Sequence, residues 1–282
     1  MGYGDDLLIT SYASHLKKKL PDHQIVIGNL SKKEAMHSIV YDNNPNISDC
    51  RKLDPKKPIF VIDYHPYNRP YIDYKKSTSS KYVWNYKFKP TPGELYFSKK
   101  ELNTAEEIYK ELIHWYKKKY LKKRKIIFIE TSSTKIDSKQ FGIKQKNLSW
   151  GHKNWKSLIN KIKDKYLIIH SNHEKVDKID GVFMPKEMSF RIACAVMKKC
   201  DLFLGAHGGF AHVAAALNKK AIVYFGGWAD PSVLGYGNHR NIYFDHVRSP
   251  CGMYGEECKH CEESRNNIKP NFLEKEIDTI LN

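Results

Sequence analysis

The 282-residue sequence has no apolar run approaching the roughly 20 residues that a membrane-spanning helix requires. Its opening, MGYGDDLLIT, lacks the basic leader and apolar stretch of a secretory signal. Six cysteines spread over this length are too few for a disulfide scaffold, so the fold must rest on buried apolar area. Internal repeats and low-complexity tracts are absent, which excludes solenoids and arrays. These absences lead us to expect a soluble cytoplasmic chain.

Acidic charge is also short: 48 Lys and Arg face 31 Asp and Glu, leaving a net charge of +17. Much of the excess sits in lysine clusters at 17–19, 117–119 and 122–125. Such clusters are compatible with plain solvated helix faces. They also suit attraction to nucleotide diphosphates, to acidic glycolipid at the inner face of a membrane, or to nucleic acid. Charge alone does not choose.

What is present is an α/β alternation. Apolar spacing predicts a helix over 7–20, ended by Pro21, then a short strand at 23–27. PIFVIDYH from Pro58 reads as another strand, closed by the proline-rich HPYNRPY. A long basic helix follows over 101–120. Strands at 125–130, 166–170, 201–205 and 221–226 then alternate with helices at 150–162, 189–199 and 210–217. Continuous apolar strands separated by helices imply a parallel sheet covered on both faces. Ligands of such sheets bind at the carboxyl ends of the strands, so the loops at 130–134, 171–174, 205–209 and 226–231 are expected to line one crevice.

The sharpest segment is LFLGAHGGFAHVAAALNKKAIVYFGGWADP, residues 202–231. Gly205, Gly208 and Gly209 let backbone come close to a ligand. The alanine-rich helix that follows directs its first amides at the same point, an arrangement suited to a diphosphate. An ordinary strand-to-helix turn accounts for the same pattern. Ser132, Ser133 and Thr134 follow the strand at 125–130 and offer hydroxyl donors, or simple loop chemistry. In the tail, Cys251, Cys258 and Cys261 read first as reduced thiols packing a loop. A zinc site completed by His246 or His260 is the alternative.

Several stretches together resemble the heptosyltransferase group, glycosyltransferase family nine. Gly205, Gly209, His212, Ala214 to Leu217, Gly226, Asp230 and Pro231 follow its signature in order and spacing. Gly4-Asp5 before Leu7 and Leu8 resembles its Gly-Asp turn, and Trp150 to Trp155 its tryptophan segment. The 184–189 stretch MPKEMS, NPNIS at 44–48 and the cysteine-bearing tail agree as well. This chain departs at His207-Gly208-Gly209, where the family has Asp, Ser or Thr, Gly, and at Leu148, where it usually has lysine.

The resemblance implies a GT-B fold: two Rossmann-like, doubly wound parallel-sheet domains facing a cleft. Residues 1–120 would hold the acceptor and 121–282, with the cysteine-bearing tail and a final helix, the nucleotide sugar; the strand usual before the Gly-Asp turn is either lacking or lost to a misassigned start. It further implies an inverting, metal-independent transfer of heptose or a similar sugar to a glycan or glycolipid such as lipopolysaccharide core, with no cofactor beyond the donor. Asp5 would be the catalytic base, although its place before an apolar run equally suits helix capping, and Asp6 is the substitute. Donor binding would fall to Ser132, Ser133, Lys146, Met184, Gly205, His207, Gly208, Gly209 and His212. A nucleotide-sugar epimerase and a non-catalytic basic binding module are the alternatives.

Overall fold

The computed structural model describes residues 2–117, 124–131, 146–171, 179–186 and 188–282. The chain opens with helix α1 (Tyr3–Lys19), whose first turn carries Asp5 and Asp6 and whose last carries Lys17, Lys18 and Lys19. Both charge placements oppose the helix dipole and favour the helix. A small sheet follows, built from β1 (Gln24–Asn29), β2 (Glu34–Ala35) and β3 (Ile59–Asp63) in the order β2-β1-β3. β1 is buried throughout and pairs with β3 in parallel and with β2 antiparallel. β3 is an edge strand, with Ile59 and Phe60 exposed. This first sheet is smaller than the doubly wound domain that the resemblance implies.

Helix α2 (Lys99–Lys117) begins at a reciprocal cap, in which the Glu101 carboxylate accepts from the Ser98 amide at 2.7 Å and Ser98 Oγ accepts from the Glu101 amide at 3.2 Å. The second sheet comprises β4 (Ile126–Glu130), β5 (Leu167–His170), β6 (Leu202–Ala206), β7 (Lys220–Gly226) and β8 (Arg240–Tyr243). All its pairs are parallel, in the order β5-β4-β6-β7-β8. Around it lie α3 (His152–Ile162), α4 (Phe190–Met197), α5 (Gly209–Ala216), the short α6 (Pro231–Leu234), α7 (Lys259–Asn267) and α8 (Pro270–Leu281). Most of the expected helices and strands stand within a residue or two of where the apolar periodicity puts them, although α1 begins four residues earlier than expected. β2, β8, α6 and α7 are additions. Among the described residues, no helix is long and apolar enough to cross a membrane.

One apolar core joins both sheets, running from Leu7 and Ile25 through Leu112 to Val223 and Cys261. A second lies on the other face of the larger sheet, where Trp150 and Trp155 meet edge-on at 4.8 Å and Trp150 Nε1 donates to the Ile268 carbonyl. The tryptophan segment is thus core, not surface.

Arg191 ties α4 to the first unit. Its guanidinium, 6% exposed, pairs with Glu101 and donates to the carbonyls of Ile39 and Tyr96. Burial by itself would raise the Glu101 carboxyl, but hydrogen bonds from Arg191 and Ser98 outweigh it and hold the group below its ordinary range. Breaking a buried pair of this kind costs about 3–5 kcal/mol, because the remaining partners lose their donor. Arg191→Ala is therefore expected to lower the unfolding free energy by that amount, read as a fall in the denaturant midpoint, and Arg191→Lys, without the planar fork, to restore only part. An unchanged midpoint would show that the tie contributes nothing.

Candidate functional site

The larger sheet reverses its order between β4 and β6, since β5 lies beyond β4 on one side and β7 beyond β6 on the other. The carboxyl ends of β4 and β6 therefore flank the crevice where such sheets hold ligands. At the β4 side, Thr131 contacts His170 Nε2 through its amide (3.2 Å) and hydroxyl (2.8 Å), and the buried Ser171 hydroxyl donates to Glu130. Ser132, Ser133 and Thr134 lie outside the described residues. At the β6 side, Ala206 leads through His207 and Gly208 into α5.

The glycines do different jobs. A side chain at Gly205 would lie 2.7 Å from the Phe203 ring and 2.8 Å from the Glu130 carbonyl, so its bareness serves strand packing inside the sheet. At Gly208, the residue before α5, an added Cβ would meet nothing nearer than the Ala206 carbonyl at 4.0 Å. At Gly209 the nearest atom is the Gly4 amide nitrogen, 3.6 Å away. The turn into α5 thus faces the first turn of α1, and among the described residues beyond its chain neighbours no side chain fills the space at Gly208.

This apposition is close. A Cβ on Gly4 would lie 2.7 Å from His212 Cδ2 and 3.2 Å from Gly209 Cα, and Tyr3 stacks on Phe190 with ring centres 4.4 Å apart. Glycine at position 4 is what allows the two helix starts to meet, whereas a Cβ at Gly209 would make only ordinary contacts. Each start carries unpaired amides and partial positive charge, a setting that favours an anion.

Asp5 supplies one. It is the third helical residue, with a side chain 14% exposed, and it accepts from the Gly2 amide at 3.3 Å. The Tyr71 hydroxyl donates to its Oδ1, and Arg69 Nε lies 3.7 Å from its Oδ2. The Tyr64 hydroxyl holds the Asp5 carbonyl at 2.9 Å. Asp5 is therefore part of the helix cap and adjoins Gly4, the residue at which the two helix starts meet. Asp6 points elsewhere: it is buried, and it accepts from Ser38 Oγ at 2.6 Å and Tyr41 Oη at 3.4 Å. Burial raises its carboxyl above the ordinary value, against the pull of the Ser38 bond.

His212 closes the α5 side, buried, with Nδ1 2.8 Å from the Tyr236 hydroxyl. Burial drops its imidazole to about 4, and only the nearby Asp5 charge acts in the other direction. It is neutral at ordinary pH, a hydrogen-bonding group and not a cation. His207 is packed between His212 and Phe225, with ring centres 5.6 and 4.7 Å away.

Two expected donor residues stand apart from this arrangement. Lys146 is 61% exposed and pairs with Glu257 of the tail, an ordinary surface contact. Met184 packs against the second apolar core. Asp230 caps α6, accepting from the Ser232 amide at 2.7 Å. Conversely, Arg69, Tyr71 and Tyr236 went unmarked in the sequence. The first two follow β3, and the rule that sites gather at strand carboxyl ends points to that loop.

Cys251, Cys258 and Cys261 are all buried and bring their sulfurs within 4.8 Å of one another, with Cys251 and Cys261 at 3.1 Å. Neither His246 nor His260 joins them; those rings stack on each other, 5.3 Å apart. Among the described residues, the group has no fourth protein ligand.

Comparison with known proteins bears on the fold and the family. No curated protein matches the chain. A glycosyltransferase family 9 protein from Veillonella parvula shares the fold at 13% identity, with a TM-score of 0.60 over 100% of this chain and 94% of that one. The iron-containing dodecameric glycosyltransferase TibC of enterotoxigenic E. coli does so at 13% identity and 0.61, over 99% and 74%. The E. coli ADP-heptose heptosyltransferase II is 16% identical with a TM-score of 0.45 over 71% of this chain, which spans 54% of that protein's length. The sequence profile of glycosyltransferase family 9 (heptosyltransferase) matches residues 64–260, well over half of the sequence, and the chain belongs to that family.

Proposed function

We propose that the chain transfers a sugar from a nucleotide diphosphate to a hydroxyl of a glycan or glycolipid, with inversion and without a metal in the transfer step. The observation that carries this reading is the meeting of the α1 and α5 starts, with the Asp5 carboxylate at the junction and open space at Gly208. A diphosphate at that space would accept hydrogen bonds from the first amides of α5. Asp5 would take the proton of the acceptor hydroxyl as its oxygen bonds to the anomeric carbon. The sugar–diphosphate bond breaks in the same step, and the α5 amides stabilise the departing charge. Heptose is the sugar named in the family's description, and lipopolysaccharide core is the acceptor to test first. The net charge of +17 favours an acidic acceptor and contact with an anionic membrane surface.

Two measurements test this together. ADP, GDP or UDP is expected to raise the melting temperature of the chain, and Asp5→Asn to abolish turnover while leaving that shift nearly intact. If no nucleotide diphosphate shifts the melting temperature, the donor reading falls; if Asp5→Asn turns over normally, the base assignment does.

The three tail thiols fit a thiophilic ion, zinc or iron, better than they fit simple loop packing. Buried, convergent sulfurs have the donor chemistry of structural metal sites, and TibC is described as iron-containing. Cys251, Cys258 and Cys261 would hold the ion, and it would tie α7 to the loop after β8, away from any role in bond-making. Metal analysis of the purified chain is expected to find about one ion per molecule, lost in Cys261→Ser together with several degrees of melting temperature. Metal-free protein of undiminished stability would rule the site out.

Acid should weaken the fold. His212 and His239, both lowered by burial to about 4, stay unprotonated in the folded chain where the unfolded chain, at 6.5, binds protons. Stability is thus full above about 6.5 and is lost as pH falls towards 4. Urea midpoints across that range should decline, and less so in His239→Gln.

A further inference from the structure

His212 stands one turn into α5, its amide donating to the Gly208 carbonyl at 3.4 Å, so its ring belongs to the wall of the junction. The two ring nitrogens face different surroundings. Nδ1 is turned to the Tyr236 hydroxyl at 2.8 Å. The Cδ2 edge, which leads to Nε2, is turned to α1, where a Cβ on Gly4 would lie 2.7 Å from Cδ2. Among the described residues Nε2 has no hydrogen-bond partner, yet it is not sealed off as both ring nitrogens of His239 are. It therefore reaches accessible space on the α1 side of the ring.

A neutral imidazole has one donor and one acceptor, and the bond made at one nitrogen decides the state of the other. Burial lowers the His212 imidazole to about 4, so the ring is neutral at ordinary pH. Burial also raises the Tyr236 hydroxyl, which keeps its proton. That hydroxyl is buried and makes no other hydrogen bond among the described residues. If Nδ1 carried the ring proton, the hydroxyl proton would be buried without an acceptor, the costlier arrangement. With the hydroxyl donating to Nδ1, the ring proton sits on Nε2. The Asp5 charge acts on the ring from the α1 side and favours the same placement. Asp5 makes no bond to the ring itself; its partners are Gly2, Arg69 and Tyr71.

Tyr236 is held firmly. Its carbonyl accepts from the His239 amide and from Asn241 Nδ2, each at 3.1 Å. Gly235 before it is packed so closely that a Cβ would lie 2.6 Å from the Pro231 carbonyl. The tyrosine ring meets His212 nearly edge-on, with centres 5.7 Å apart. We infer that Tyr236 is a positioning residue: it fixes the His212 proton on Nε2, and that N–H donates to a phosphate oxygen of a bound diphosphate. The ligand rests on the transferase reading, whereas the tautomer rests on the geometry of the free chain alone. No proton is transferred. A fixed neutral donor joins the α5 amides where the leaving charge develops.

The test uses the full chain with nitrogen-15 in its histidines, read by long-range proton–nitrogen correlation near neutral pH. His212 is assigned from the signals missing in His212→Gln. The free chain should show His212 protonated at Nε2 and bare at Nδ1. Inorganic pyrophosphate should shift the Nε2 proton downfield while raising the melting temperature. Tyr236→Phe should leave the His212 signals averaged between the two tautomers. The same variant should weaken pyrophosphate binding about tenfold by calorimetry, or about 1.4 kcal/mol.

A ring proton on Nδ1 in the free chain overturns the inference, as does a Tyr236→Phe chain that keeps the Nε2 form alone. A merely structural contact would leave the Nε2 proton indifferent to pyrophosphate. That result, with pyrophosphate raising the melting temperature, overturns the phosphate assignment and leaves the donor reading standing. Failure of pyrophosphate, ADP, GDP and UDP alike to raise the melting temperature takes down the donor reading and the phosphate assignment together. Should Tyr236→Phe fail to fold, the position of the ring proton and its response to pyrophosphate in the unaltered chain still decide.

Discussion

The fold turns on one contact: two helices begin against each other, Gly4 of α1 on Gly209 and His212 of α5. Helix starts present unpaired amides and partial positive charge, and bringing two together is unfavourable unless something negative lies between. The protein places Asp5 there, and Arg69 and Tyr71 hold its carboxylate from the side of the smaller sheet. A bound diphosphate would be the second anion. On the transferase reading proposed above, the same electrostatics would draw that diphosphate to the junction. Only glycine permits the approach, since any Cβ at Gly4 would run into the His212 ring.

The contact is held from outside by ordinary packing and by Arg191. A continuous core runs through both sheets, so the two units meet over apolar surface as well as at the junction. Arg191 reaches from α4 to the Ile39 carbonyl, in the turn whose Ser38 and Tyr41 hydroxyls hold Asp6. The residue beside the proposed base is therefore anchored by a chain of bonds that starts in the other unit. Asp6 is buried and committed to that network, which leaves Asp5, with its side chain 14% exposed, as the more accessible carboxylate of the pair.

Most of the secondary structure was legible because apolar periodicity is a strong local signal. The strands at β4, β6 and β7 are nearly unbroken apolar runs, and α5 is marked by its alanines. β8 and α7 were not legible: RNIY is short and half polar, and KHCEESRNN has no apolar stripe, so tertiary context defines both. In the candidate site, the Gly-rich turn could be picked out because glycines at a helix start carry local meaning, whereas Asp5 read locally as a cap and was marked as a base only through the family resemblance. The separate duty of Gly205, in the strand, could not, because it depends on the Glu130 carbonyl from a neighbouring strand. Arg69 and Tyr71 were hidden for the same reason, since their partner lies more than sixty positions away in the sequence. Lys146, which the family resemblance offered for phosphate and lysine-rich composition offered as a solvated side chain, stands exposed beside Glu257.

Asp5 raises a chemical question, because a carboxylate that caps a helix and accepts from tyrosine has few lone pairs left for a substrate proton. The two demands separate by oxygen. Tyr71 donates to Oδ1, whereas Oδ2 has only a 3.3 Å amide and an Arg69 nitrogen at 3.7 Å, both long for charge-assisted hydrogen bonds. An acceptor hydroxyl at Oδ2 would form a shorter bond than either and displace little. Tyr71, packed against Trp84 with ring centres 6.5 Å apart, would keep the carboxylate in place during that exchange. Capping thus orients the group, and the loosely held oxygen is the one free to act.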